Sequence, residues 1–172
     1  MLQFLMNYEV PRIKQLNRSN KNLPEHGTDV IGFKFESSVD EPSRKDILIA
    51  AEVKANLSGT NFNTIKKAVK DSKKDNFRIA TTLDYYRLKL KQYGDVDNAR
   101  KILRFERKSE LPYKTIYNAF AITSLDVIDD NTIIQINGSD LNLALNQNVY
   151  FVHGKDLMEL AHNVYDLSLI HI

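Results

Sequence analysis

Along the chain, apolar residues change their spacing twice, from alternation to helical periodicity and back. Asp29–Glu36 mixes apolar and polar positions in strand fashion and is bounded by turn-forming residues, so it reads as a strand. Ser37–Lys45, with its Ser, Asp and Pro, reads as a loop. Asp46–Ala55 is a second strand, built on the apolar run Ile47-Leu48-Ile49-Ala50-Ala51. Period-3.6 spacing then takes over. Phe62–Lys74 reads as a helix with the stripe Ile65, Ala68 and Val69, and Asn61 or Asn63 is the candidate N-cap. Phe77–Tyr93 is a second helix, with Ile79, Leu83, Tyr86 and Leu90 on one side, and Gly94 stops it. Asp95 or Asp97 caps a third, running to about Phe105. Strands return at Lys114–Leu125, Thr132–Ile136 and Asn148–Val152, the middle one followed by the turn dipeptide Asn137-Gly138. Lys155–Tyr165 reads as a last helix. Before all of these, Met1–Tyr8 is predicted helical up to Pro11, Arg12–Leu16 is a short strand, and Asn17–Gly27 is a polar connection. No repeat or low-complexity linker interrupts the pattern, which gives one α/β domain over residues 1–166. The central strands are apolar on both faces, as in a sheet covered by helices on both sides.

Polar residues break this pattern most sharply at Glu52-Val53-Lys54, the end of the second strand. Residues two apart on a strand project to one face, and burying a carboxylate and an ammonium there is costly without compensation. A hairpin that pairs Glu36 near Ile47 sets Asp29 near Lys54 and Ile31 near Glu52, with Asp29, Glu52 and Lys54 on a shared face. A slip of one residue would separate them. Such a set suits phosphodiester hydrolysis. Asp29 and Glu52 are hard oxygen ligands for Mg²⁺ or Mn²⁺, and the Val53 carbonyl is a further one. A bound ion lowers the pKa of water, and the Lys54 ammonium would position that water and offset charge developing on the phosphate. The plainer reading is a salt bridge at a strand end, worth little energetically.

Charge distribution adds a partner. The net charge is only +2, but residues 66–114 carry 15 Lys and Arg against 7 Asp and Glu. Lys66, Lys67 and Lys70 are candidates to contact nucleic-acid phosphates, and a solvated helix face is the alternative for each. His26, in the loop before Asp29, is a candidate accessory residue. His153, His162 and His171 have no metal-ligand spacing. Composition (42% apolar, 27% charged) is that of a globular protein. The absence of cysteine excludes disulfides and thiolate sites and fits a cytoplasmic location. No apolar run approaches the roughly 20 residues needed to span a bilayer, and the first residues make a poor signal peptide.

An Asp at a strand start, a loop, and an apolar strand ending in Glu-x-Lys before a helix resemble the PD-(D/E)xK nuclease superfamily over roughly residues 1–76, with Thr28 in place of the usual proline. The resemblance implies a restriction-endonuclease-like αβββαβ core, a mixed sheet flanked by helices with the first helix truncated here, and divalent-metal-dependent cleavage of nucleic acid. More narrowly, His26-Gly27-Thr28-Asp29, Ala51-Glu52-Val53-Lys54 and the helices after them are similar to HamA-like proteins, the nuclease component of the Hachiman anti-phage system. That implies DNA, in preference to RNA, as substrate and a helicase as partner. It also implies a glutamate on the first helix. Glu9, beside Pro11, is the candidate within the chain, and a position upstream of Met1 is the other. A non-catalytic nucleic-acid-binding or assembly subunit is the alternative reading. The last six residues, Leu167–Ile172, read as an in-frame translation of a transposase-end sequencing adaptor, which puts the expected end of the native sequence near Asp166.

Overall fold

β1 (Val30–Lys34) pairs antiparallel with β2 (Ile47–Asn56), and three helices follow: α1 (Thr64–Ser72), α2 (Asp75–Gln92) and α3 (Val96–Glu106). The chain then returns to the sheet as β3 (Lys114–Ser124), parallel to β2. β4 (Gln147–Gly154) adds in parallel on the far side of β3, and α4 (Leu157–Ile170) follows. This computed structural model describes residues 1–11, 27–57, 63–124 and 141–170. The expected strands at 12–16 and 132–136, the turn Asn137-Gly138 and the candidate cap Asn61 lie outside the described residues. The result is the expected α/β fold, a mixed four-stranded sheet in the order β1-β2-β3-β4 with four helices among the described residues. None of these helices is long and apolar enough to cross a membrane.

Sheet periodicity divides the apolar residues into two layers. Ile31, Phe33 and Leu48 pack with Leu83, Tyr86 and Leu90 of α2 and with Ala99, Ile102 and Phe105 of α3. Further along that face, Ile65, Ala68 and Val69 of α1 meet Ala119 and Ala121 of β3. The opposite face buries Ile49, Ala51 and Phe120 under Leu2, with Met6, Tyr8 and Val10 alongside. That second cover differs from the expectation. Residues 1–8 form turns rather than a helix, with the Met1 carbonyl accepting from the Leu5 and Met6 amides. The chain then runs along the outer edge of β1, where Glu9 and Phe33 exchange two backbone hydrogen bonds of 2.9 Å. This bridge pairs the edge at Phe33, where the strand would otherwise present its backbone groups unpaired.

Local chemistry sets the joints. Gly94 has φ +76°. Its amide bonds the Lys91 carbonyl and the Asp95 amide bonds the Leu90 carbonyl, the paired pattern that closes a helix through a left-handed residue. Asp95 then caps α3, its carboxylate accepting from the Asn98 amide at 3.1 Å. Of the two proposed caps for that helix, Asp95 is the one used. Asn63 precedes α1 but makes no side-chain cap bond. The β1–β2 loop closes on Asp46, which is fully buried and accepts from the Glu36 and Ser43 amides at 3.0 Å each. Buried Arg104 of α3 completes that cluster, with its guanidinium 2.8 Å from the same carboxylate.

Candidate active site

β2 carries both charged residues of the Glu-x-Lys motif onto the helix-covered face, since Leu48, two pairs earlier in the alternation, packs under α2 and α3. Glu52 is 4% exposed, and its Oε1 lies 2.6 Å from the Lys54 Nζ. A surface salt bridge would leave both groups in water, whereas here the carboxylate is buried and the ammonium half-buried. Lys54 has a second carboxylate partner, Asp71 of α1, at 3.2 Å. Asp71 in turn pairs with Lys74. The hydrogen bond from Lys54 to Glu52 raises its pKa above the ordinary lysine value, burial opposes this, and Asp71 reinforces it. Asp71 is shifted down, first by its hydrogen bond to Lys74 and also by Lys54, against the effect of burial. Lys54 therefore stays an ammonium at neutral pH. It can donate and neutralise, but it does not take up a proton.

Asp29 stands just before β1, and its Oδ2 accepts the Val53 amide at 3.0 Å. The observed register differs from the expected one by two residues: Ile31 faces Ala50 and Val30 faces Ala51. Carried one residue further, it sets Asp29 across from Glu52 rather than Lys54. A shift of two leaves every paired side chain on its expected face, and Asp29, just ahead of the paired residues, places its carboxylate on the Val53 backbone amide. Position 27 must be glycine for this segment to lie where it does. Gly27 has φ +117°, and a Cβ there would sit 2.8 Å from the Thr82 Oγ1. Beside it, the Thr28 amide donates to that same hydroxyl at 3.2 Å.

Asp75, at the head of α2, was not among the predicted residues. It is fully buried, and its Oδ1 accepts from the Thr28 hydroxyl at 3.1 Å. Its Oδ2 has no hydrogen-bond partner among the described residues. Burial pushes its pKa up to about 6, the charges of Glu52 and Asp29 add to the rise, and Thr28 and Arg78 oppose it. A signal for it did exist, because Asp75 precedes Ile79, Leu83, Tyr86 and Leu90 at helical spacing and so stands in the buried stripe of α2.

The donor chemistry fits a hard divalent cation: two carboxylates, the Val53 carbonyl, and a buried carboxylate oxygen without a partner. Among the described residues, however, no three acidic or histidine side chains are gathered closely enough to hold one ion as they stand. The remaining predicted residues lie elsewhere. Lys66, Lys67 and Lys70 are exposed on the outer side of α1, away from the stripe that packs on β3. The Glu9 carboxylate pairs with Lys101 of α3 at 2.5 Å, at the β1 edge beside Phe33. His26 lies outside the described residues. Neither a curated protein nor a solved structure matches the chain. A family model, HamA, matches residues 1–167, nearly the whole length, and the chain belongs to the HamA family.

Proposed function

We propose that this protein is a divalent-metal-dependent nuclease that hydrolyses phosphodiester bonds of nucleic acid as the effector of the Hachiman anti-phage defence system. It would act in the cytoplasm, on DNA in preference to RNA, with a helicase as partner. Membership of the HamA family supports the defence role. One observation carries the chemistry: a buried glutamate hydrogen-bonded to a lysine two residues on, with an aspartate held across the hairpin from it. An arrangement this costly is hard to account for by stability alone.

Asp29, Glu52 and the Val53 carbonyl would hold Mg²⁺ or Mn²⁺, which supplies positive charge at the phosphate and a more acidic water. The Val53 amide orients the Asp29 carboxylate. Glu52 and Asp71 hold the Lys54 ammonium from two sides, so that it donates to the attacking water and offsets charge on the phosphate. Its raised pKa keeps this donor protonated. Asp75 is the added acidic group of the site, within electrostatic reach of both Asp29 and Glu52.

Incubation with plasmid and single-stranded substrates, with Mg²⁺ or with EDTA, tests the reading. Cleavage is expected only with the metal. It should fall by roughly a hundredfold or more in Glu52→Ala and Lys54→Ala, the scale of losing a preorganised charged group. Cleavage that survives both substitutions rejects the assignment. Salt-dependent binding without any cleavage would instead mark a non-catalytic nucleic-acid-binding or assembly subunit.

A further inference from the structure

At the entry ends of the parallel strands, a cleft of about 820 Å³ opens between the α1–α2 corner and the start of β3. Lys73, Lys108 and Lys114 line it, with Asn76, Thr115 and Tyr117, and no carboxylate is among its lining residues. Lys73 donates to the Asn142 carbonyl, and Lys108 donates to the Thr115 hydroxyl and sits over the Tyr113 ring. Lys114 is exposed. None of the three has a carboxylate partner among the described residues. Other basic groups, among them Lys54, Lys74, Arg87, Arg100, Lys101 and Arg104, do pair with acids. Positive charge is thus left unbalanced inside a concavity, where low-dielectric walls focus it on an anion.

The cleft adjoins the candidate active site. The Tyr117 hydroxyl donates to Asn76 at 2.9 Å, and Asn76 follows Asp75 in the chain. Tyr117 pairs with Ala50, two residues before Glu52 on the same face. Two strand residues span roughly 7 Å, which separates Glu52 from the near edge of the cleft. Lys114, paired with Ile47 five residues before Glu52, lies roughly 17 Å along the strand, two to three phosphate steps of a nucleic-acid strand.

We propose that this cleft binds a backbone phosphate of a nucleic-acid strand, two to three phosphates along from the one presented to Glu52 and Lys54. The assignment rests on the nuclease reading for its orientation, and it moves the main phosphate contact from the outer face of α1 to Lys73, Lys108 and Lys114.

Fluorescence anisotropy of labelled single-stranded and duplex oligonucleotides, with the full chain in EDTA, measures binding apart from cleavage. Lys108→Ala combined with Lys114→Ala should weaken binding roughly tenfold and lower the slope of log affinity against log salt by about 1 to 2. The corresponding Arg pair should retain both. Lys66→Ala with Lys67→Ala should have a smaller effect. Lys108 supports Thr115 and Tyr113, so the exposed Lys114→Ala alone, checked by circular dichroism, carries the test if the pair unfolds. Three outcomes overturn the proposal: a wild-type chain that binds no oligonucleotide at low salt, an outer-face pair that loses as much as the cleft pair, or a folded cleft variant that loses nothing. Binding through the cleft without metal-dependent cleavage would keep this site and reject the nuclease.

Discussion

A carboxylate with no exposed surface, and with one oxygen unpaired among the described residues, is held in place at Asp75 by a hydroxyl and by the positive end of α2. Its folded pKa of about 6 lies above the ordinary aspartate value of 3.8, so the native state binds the extra proton between those two pH values. Stability is therefore fully present below the lower value, falls as pH rises through the window, and stays reduced above it. A shift of this size corresponds to about 3 kcal/mol. Asp75→Asn keeps an oxygen for Thr28 and carries no charge. Urea unfolding between pH 4 and 7.5 should show the wild type losing stability relative to this variant as pH rises to about 6, with no further divergence above it. Parallel curves across the range would mean that Asp75 ionises as it would in water. The same residue marks what could be read from the sequence. Glu52 and Lys54 are legible because a strand puts residues two apart on one face, and Asp29 because it precedes the strand that pairs with β2. Asp71 and Asp75 reach the site from helices later in the chain, so no spacing within β2 points to them. The one available sign of Asp75 was a charged residue in an apolar helical stripe.

Two joints between elements make separate predictions. At the α2–α3 corner, Gly94→Ala forces a side chain into a left-handed conformation and should cost about 1 kcal/mol. Asp95→Ala removes the α3 cap and should cost about 1 kcal/mol as well. The residues are adjacent, so the double variant need not lose the sum. At the other joint, Arg104→Met leaves the buried Asp46 carboxylate without its counter-charge, and denaturant unfolding should show a loss of about 3–5 kcal/mol. A loss below about 1 kcal/mol would mean that the Glu36 and Ser43 amides satisfy Asp46 alone. These joints also explain how far the elements could be anticipated. The corner was legible because Gly-Asp carries both the stop and the next cap. The hairpin register was misplaced by two residues because alternation fixes which face a residue takes but not how far the strands slide. That sliding is set by the loop, where Asp46 ties the Glu36 amide to α3, a contact between residues 58 apart that no local pattern encodes. The turns of residues 1–8 were read as a helix because their apolar content matches one. What they do is lie across the second face of the sheet.

For the whole molecule, the proposed cation site around β2 would link ion binding to global stability. Asp29, Glu52 and Asp75 are brought near one another only by folding, since they come from the start of β1, the middle of β2 and the head of α2. The unfolded chain has no such site, so an ion held there stabilises the native state by mass action. At a concentration about 100 times its dissociation constant, the gain is about 2.7 kcal/mol. For a chain of this size each kcal/mol moves the midpoint by roughly 2–4 °C, so Tm should rise by about 5–10 °C on adding Mg²⁺ or Mn²⁺ to EDTA-treated protein. Differential scanning calorimetry against NaCl of matched ionic strength isolates this from general screening of the +2 chain. Glu52→Gln should abolish the rise, and because it leaves the Lys54 ammonium with Asp71 as its remaining carboxylate partner among the described residues, its metal-free midpoint should lie below that of wild type. Lys54→Met should keep the rise, since the ammonium is not a proposed ligand, and on the proposed mechanism should lose cleavage all the same. The two variants thus separate holding the ion from using it. A wild-type midpoint indifferent to both ions would show that these carboxylates hold no cation, and would leave the buried Glu52–Lys54 pair to be explained by stability alone.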